Sequence, residues 1–264
     1  MLKELVLCGL GKKEMANKCL LCKSSEIKTL NFRLHSFLTW VKNKRSSIME
    51  APCFEYCSNC SNARTIDKPE LIDYSQRVHS TSKSQAENSN STDKNISSQW
   101  KRSIKMQIDT LIKHIGTNSR ILDIGCGEGI LLKMLTESGF SNVTGIEISE
   151  ISSQKARENG LNVMTGSFLD RQVVEGTFDV VILSHVLEHF ENPMHVLEVI
   201  STYLSDGSYL MLVQTHYKGL IPNLLGDNWY GWCPEEHYWH FTPSGLIFMA
   251  DRFNLKAKEV DFPP

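Results

Sequence analysis

From Trp100 onward the apolar positions step by threes and fours. Trp100, Ile104, Ile108, Leu111, Ile112 and Ile115 share one helical face. The period then shortens. "RILDIG" is a brief apolar run closed by glycine and predicts a buried strand, and "GILLKMLTESG" predicts a helix stopped by Gly139. The alternation continues with "NVTGIEIS" as a strand, "SSQKARENG" as a helix with a glycine stop, and "NVMTGSF" as a strand. "FDVVILS" has too many consecutive apolar residues for a half-exposed strand, so it is expected to be covered on both faces. In "ENPMHVLEVISTYLSDG", Asn192 suits an N-cap and Pro193 the first helical position, with Val196, Leu197, Ile200 and Leu204 as the buried stripe. "SYLMLVQT" is a fifth strand, "TPSGLIFMADRFN" a helix, and "LKAKEVDF" a sixth strand. Strands alternating with helices predict an α/β fold, a Rossmann-like doubly wound and mostly parallel sheet covered on both faces.

The stretch before Trp100 behaves differently. "HSTSKSQAENSNSTDKNISS" has one aliphatic residue beyond alanine, Ile96, and cannot bury enough surface to offset its ordering entropy. The organisation expected is an extension over 1–14, a cysteine-rich module over 15–70, a polar flexible linker over 71–98 and the α/β domain over 99–264. Met15 would serve as an alternative start. No apolar run approaches the ~18 residues of a membrane helix, and no small-residue cleavage site follows the first residues. A cytoplasmic location without a membrane partner is therefore expected. The net charge of −2 gives no global pull toward nucleic acid. Residues 1–60 carry ten Lys/Arg against five Asp/Glu, which reads as a solvated, mildly basic surface.

Six of the eight cysteines fall in that basic stretch: Cys8, Cys19, Cys22, Cys53, Cys57 and Cys60. Without a secretion signal, metal ligation is a better reading than disulfides. "CLLC" and "CSNC" are two C-x-x-C pairs, so Cys19, Cys22, Cys57 and Cys60 offer the tetrahedral thiolate set of a structural Zn²⁺. A metal-free segment and redox chemistry are the alternatives. The pairs stand farther apart than a compact ribbon needs, so "RLHSFLTWVKNKRSSIMEAP" reads as an insertion; neither pair is followed by glycine, and Cys53 is a competing thiolate.

"ILDIGCGEG" carries the first sign of a ligand. Gly125, Gly127 and Gly129 follow the first strand directly. The dinucleotide fingerprint G-x-G-x-x-G would need glycine at position 130, which is Ile130, so a nicotinamide cofactor fits poorly. The pattern is instead D-x-G-x-G-x-G, with Asp123 placed to meet a cationic group. Glu147 closes the second strand, where a carboxylate can accept both hydroxyls of a ribose.

With "VTGIEIS", "GTFDVVILSHVLEHFENPMHVLEVI" and "EEHYWHFTPSGL" following in order, residues 99–264 resemble the class I S-adenosylmethionine-dependent methyltransferases. The resemblance implies S-adenosyl-L-methionine as cofactor. It implies that Asp123, Gly125 and Gly127 hold the methionine part, in the loop that also contains Cys126 and Gly129. It further implies that Glu147 takes the ribose hydroxyls with Ile148 against the adenine, that Ser167 and Phe168 lie by the adenine, and that Ser184 and His185 line the methyl-donor side. Cys126 meets a need for a small residue and is given no redox role. The family sheet has seven strands and only six are placed here, so the last edge is expected to be truncated or completed differently. The cysteine-rich module also resembles the zinc-binding front domain of some sugar-modifying methyltransferases.

Methyl transfer from a sulfonium is an in-line displacement, in which alignment and exclusion of water dominate. A hydroxyl or carbon-acid acceptor also needs a base. Candidates are His185, Glu188, His189, His216, Glu236, His237 and His240. "LEHF" is expected to play a structural role at the opening of a turn. "EEHYWHF" stands among Trp229, Tyr230, Trp232, Tyr238 and Trp239, and Glu236-His237 match a Glu-His pair associated with deprotonation in sugar C-methyltransferases. The tyrosine those enzymes often carry shortly before the Glu is Pro234 here. His237 is the expected base, with Glu236 and His185 beside it; an aromatic lid with hydrogen-bonded histidines is the alternative. The expected reaction is methyl transfer to oxygen or carbon of a small molecule, a sugar nucleotide or glycan precursor. The alternatives are an RNA or protein methyltransferase that docks through its cysteine module, and a non-catalytic cofactor-binding or zinc scaffold.

Overall fold

The computed structural model describes residues 18–30, 54–66, 98–170, 173–226 and 229–261. The extension over 1–14, the insertion "RLHSFLTWVKNKRSSIMEAP", linker residues 71–97, and Cys8 and Cys53 lie outside the described residues. No helix among the described residues is long and apolar enough to cross a membrane.

The chain divides into two compact units. One gathers residues up to Leu71 with Leu187–His195 and Gln214–Lys258. Among the described residues its sheet has four antiparallel strands: β1 (Ile27–Leu30), β2 (Phe54–Cys57), β3 (Ala63–Thr65) and, from far down the chain, β9 (Trp239–His240). Ala63 pairs with His240 and Arg64 with Trp239. Phe54, Ala63, Tyr217, Trp229 and Trp232 form the core of this unit. Here "EEHYWHF" supplies a strand to the cysteine module, a placement that the sequence did not suggest.

The other unit draws on Ile72–Val186, Val196–Val213 and Glu259–Pro264. Among the described residues its sheet is parallel and five-stranded: β4 (Arg120–Ile124), β5 (Asn142–Glu147), β6 (Val163–Thr165), β7 (Phe178–Ser184) and β8 (Leu204–Val213), in the order β6-β5-β4-β7-β8. Val180, Val181, Ile182 and Leu183 are fully buried, as a strand covered on both faces requires. Each such side chain contributes about 1.5–3 kcal/mol of hydrophobic stabilisation.

Helix α1 (Ser98–His114) buries Ile104, Ile108 and Leu111 against Ile121, Leu131, Leu135 and Phe140. Its stripe is narrower than expected: Trp100 and Ile112 are exposed, and Ile115 lies past the helix end. The linker also ends earlier than expected, since Ser98 already belongs to the helix. Helix α2 (Ile130–Glu137) follows Gly129; α3 (Glu150–Glu158) is capped by Ser149, whose hydroxyl accepts the Ser152 N–H. At α4 (Pro193–Ser201) the Asn192 carboxamide oxygen accepts the His195 N–H at 3.3 Å. Leu204 does not join its buried stripe; it starts β8, opposite Phe178, and Tyr203 is the buried residue.

The sixth strand expected at "LKAKEVDF" is not formed. Leu255–Asp261 has no regular structure and is largely exposed. Glu259 accepts from Lys113 (2.7 Å) and His114 (2.6 Å), and Asp261 accepts from Thr110 at 3.2 Å. The acidic residues are bound by basic and hydroxyl groups near the end of α1, not aligned in a ladder.

Gly129 sits at φ 83°, and a Cβ there would collide with Leu161 Cδ1. Gly160 has a similar φ, 78°, with nothing within 4 Å. Gly129→Ala is expected to cost about 2–4 kcal/mol, left-handed strain plus overpacking, and Gly160→Ala about 1–2 kcal/mol from strain alone. Urea denaturation midpoints of the two variants test this; equal losses would show that the Leu161 contact is irrelevant.

Candidate functional site

In the parallel sheet, β4 lies between β5 and β7, and the strands end together at Ile124, Glu147, Thr165, Ser184 and Val213. Ligands of such sheets bind beyond these ends, where strand order reverses. A hollow lined by Arg120, Asn142, Thr144 and Phe178 lies where the strands begin, and none of the expected ligand residues line it.

The glycine loop is tied down at the strand ends. Gly125 N–H donates to the Ile146 carbonyl at 2.8 Å, and Gly129 N–H to the Cys126 carbonyl at 3.0 Å. Glu147 is buried, and each carboxylate oxygen accepts one backbone N–H: Gly127's at 2.9 Å and Ser149's at 2.8 Å. Its remaining lone pairs are oriented by those two bonds. At Gly127, φ is 58° and a Cβ would meet nothing within 4 Å, so this part of the loop presents bare backbone. Cys126 fills the space above Gly145, where an added Cβ would lie 2.6 Å from its sulfur. Burial and the nearby Asp123 and Glu147 carboxylates push its thiol well above the ordinary range, which agrees with a packing role.

Asp123 is buried beside Glu147. Burial first, and the Glu147 charge second, raise its carboxyl to about 8. An acid held this way favours a cationic partner. Ile148 is 44% exposed directly after Glu147. Gly166 N–H bonds the Glu147 carbonyl at 2.9 Å, which brings Ser167 and buried Phe168 alongside. The Ser167 hydroxyl accepts the Leu169 N–H, and the Phe168 carbonyl accepts the Tyr203 hydroxyl at 2.6 Å. Ser184 ends β7; His185 takes a left-handed φ of 57° and donates its N–H to the Val213 carbonyl.

In the other unit, the sulfurs of Cys19, Cys22, Cys57 and Cys60 lie within 4.8 Å of one another. Cys19 and Cys60 are 3.7 Å apart, Cys22 and Cys57 3.5 Å. Four thiolates at ~2.3 Å from a tetrahedral ion stand at about these separations. The turns that glycine often makes are made by Lys23 (φ 61°) and Ser61 (φ 58°), each just after the second cysteine of a pair. The hydrogen bond to Cys60 draws the Cys19 thiol down to about 5, whereas the same bond and burial raise Cys60.

Thr65 joins this module to the aromatic segment. Its hydroxyl donates to the His237 carbonyl at 2.7 Å and lies 3.1 Å from His240 Nε2, while its N–H donates to the Tyr238 carbonyl at 2.9 Å. Glu188-His189, on a 3-10 turn over Leu187–His189, meets Glu236-His237. Tyr238 N–H donates to the Glu188 carbonyl (2.8 Å), His189 Nδ1 to the Glu236 carbonyl (3.2 Å) and His237 Nδ1 to the Gly231 carbonyl (3.1 Å). One ligand atom from each of Glu188, His189 and His237 falls within 4.8 Å of the other two. Burial holds His189 down to about 4 and His240 to about 3, so both rings are neutral at pH 7. His216 instead bridges to Phe241. The meeting of these two pairs was not anticipated, although the repeated acid–histidine dipeptide, at Glu188-His189 and again at Glu236-His237, was a visible signal.

Residues 96–260 match the family described as methyltransferase domain. Among curated relatives, the ubiquinone biosynthesis O-methyltransferase of Colwellia psychrerythraea is 31% identical over 152 residues, 52% of this chain and 61% of that protein. Its namesake in Hydrogenovibrio crunogenus is 30% identical over 163 residues (56% and 67%), and the one in Shewanella pealeana 27% over 153 residues (53% and 64%). The chain thus spans between 61% and 67% of the length of these relatives. In fold it is similar to the magnesium protoporphyrin IX methyltransferase of Synechocystis, solved with bound SAH: 18% identity, 63% of this chain and 81% of that one, TM-score 0.51. Matched over more than half its length and carrying the acid-flanked glycine loop at the ends of a parallel sheet, the chain belongs to the methyltransferase-domain family.

Proposed function

We propose that this protein is an S-adenosyl-L-methionine-dependent methyltransferase acting on a hydroxyl oxygen of a small molecule. The observation that carries the reading is the pair of buried carboxylates flanking an open glycine loop, Asp123 raised in pKa and Glu147 fixed through both oxygens. A ligand with one ammonium and one ribose diol complements this pair. When bound, the cofactor supplies an electrophilic methyl group. Asp123 would bind the ammonium and Glu147 the ribose hydroxyls. Ile148, Ser167 and Phe168 would flank the adenine, and Ser184 and His185 the methyl-donor side. The curated relatives are named for ubiquinone biosynthesis, and their names offer no support for a sugar acceptor. Sugar hydroxyls therefore enter the acceptor screen on equal terms with other small-molecule hydroxyls. The cysteine set is assigned to one structural Zn²⁺, on the sulfur separations.

Glu147→Gln should weaken S-adenosylhomocysteine binding by at least about tenfold in calorimetric titration, since a charge-assisted hydrogen bond contributes about 1.5–3 kcal/mol. Unchanged affinity would remove the ribose assignment. Asp123 must lose its proton to meet an ammonium, and that proton leaves around pH 8. Affinity should accordingly rise as pH rises from 6 to 8, with proton release at pH 7, and Asp123→Asn should flatten the profile; a flat wild-type profile would contradict the ion pair. Cys57→Ser should lose the bound zinc and speed amide exchange at Thr65, Tyr238 and Thr242, because β2, β3 and β9 share one ladder. Undiminished protection would show that the metal does not support this sheet.

A further inference from the structure

We propose that Glu188, His189 and His237 form a second metal site, distinct from the four cysteines, that takes one divalent first-row transition ion such as Zn²⁺, Fe²⁺ or Co²⁺. The site is argued from three observations, none of which depends on methyl transfer. The first is convergence: two imidazoles and one buried carboxylate, from segments well separated in the chain, bring ligand atoms within 4.8 Å of one another. The rings of His189 and His237 meet edge to face at 4.9 Å.

The second is the outer hydrogen bonding. Both Nδ1 atoms point at backbone carbonyls, of Glu236 and Gly231. A carbonyl can only accept, so each Nδ1 donates its proton there, and Nε2 is the ring nitrogen that would bind an ion. Metal-binding histidines are oriented in this way, by a second bond from the ring nitrogen that does not touch the ion. The Tyr238 N–H bond to the Glu188 carbonyl clamps the two segments together.

The third is His240, 2% exposed and 6.1 Å from the His237 ring. Thr65 gives its hydroxyl proton to the His237 carbonyl, so in the 3.1 Å contact His240 Nε2 is the donor. Nδ1 is then a bare lone pair, buried and without a hydrogen-bond partner among the described residues. A buried acceptor left this way calls for a water or an ion beside it.

The donor set decides the ion. Two nitrogens and one oxygen suit Zn²⁺ and its neighbours, whereas Mg²⁺ and Ca²⁺ prefer oxygen throughout. Three protein ligands leave an open coordination position, unlike a closed set of four thiolates. Loaded, the cluster would act on an oxygen ligand as a Lewis acid.

The test is titration of chelator-treated full-length protein with Co²⁺. Two equivalents are expected. One should show intense thiolate-to-cobalt charge transfer; the other should show weak visible bands without it. His189→Ala and the His189→Ala/His237→Ala pair should weaken the second equivalent by more than about 100-fold and leave the thiolate spectrum intact. Histidine-labelled wild-type protein gives a readout that needs no variant: addition of the second equivalent of Zn²⁺ should shift two Nε2 resonances. A single equivalent with thiolate character throughout, a second equivalent retained in the double variant, or unmoved Nε2 resonances would each overturn the site.

Discussion

Glu147 accepts a backbone N–H on each carboxylate oxygen, one from the glycine loop after β4 and one from the start of α3. These two bonds connect the ends of adjacent parallel strands and set the path of the loop. With the loop placed, Asp123 is enclosed beside a second negative charge and its carboxyl rises to about 8. The electrostatics of this edge therefore follow from a geometric constraint: one side chain bonded to the backbone on both sides leaves its neighbour in need of a cation. The glycines are needed because the main chain must turn left-handed at the same edge.

The cysteine unit rests on a comparable economy of contacts. Thr65, the last residue of β3, bonds to His237, Tyr238 and His240 at once. The order of the aromatic segment is thereby set by the strand that follows the second cysteine pair. Asn62 contributes in the same way: its side-chain oxygen accepts the Thr242 N–H, and the amide lies against Met249. Gly245 packs on the same side chain, and any larger residue there would collide with it.

The parallel sheet was legible because its strands are continuous apolar runs bounded by glycine and caps, a pattern that needs no distant partner to be read. The loop "DIGCGEG" was legible for the same reason. The cysteine set could be read from spacing alone, even though Lys23 and Ser61 stand where glycine commonly makes the turn. Three features escaped. "LKAKEVDF" has a strand's alternation, but its acids are drawn to Lys113, His114 and Thr110 near the end of α1, a pairing across more than half the chain that no local pattern encodes. Strand β9 spans only Trp239 and His240, too short for any periodicity, and exists only because Ala63 and Arg64 present an unpaired edge to it. The Glu188–His189–His237 grouping depends on that strand and was hidden with it.

The pairing of Ala63 with His240 also bears on how the chain is made. A ribosome releases β3 long before it releases β9, with the whole parallel sheet synthesised between them. At ~5–20 residues per second, the intervening stretch of roughly 175 residues takes on the order of 10–35 seconds. Throughout that interval both C-x-x-C pairs are already outside the ribosome, while the fourth strand of their sheet does not yet exist. The cysteine pairs therefore precede, in time as well as in sequence, the assembly of everything built on Trp239 and His240.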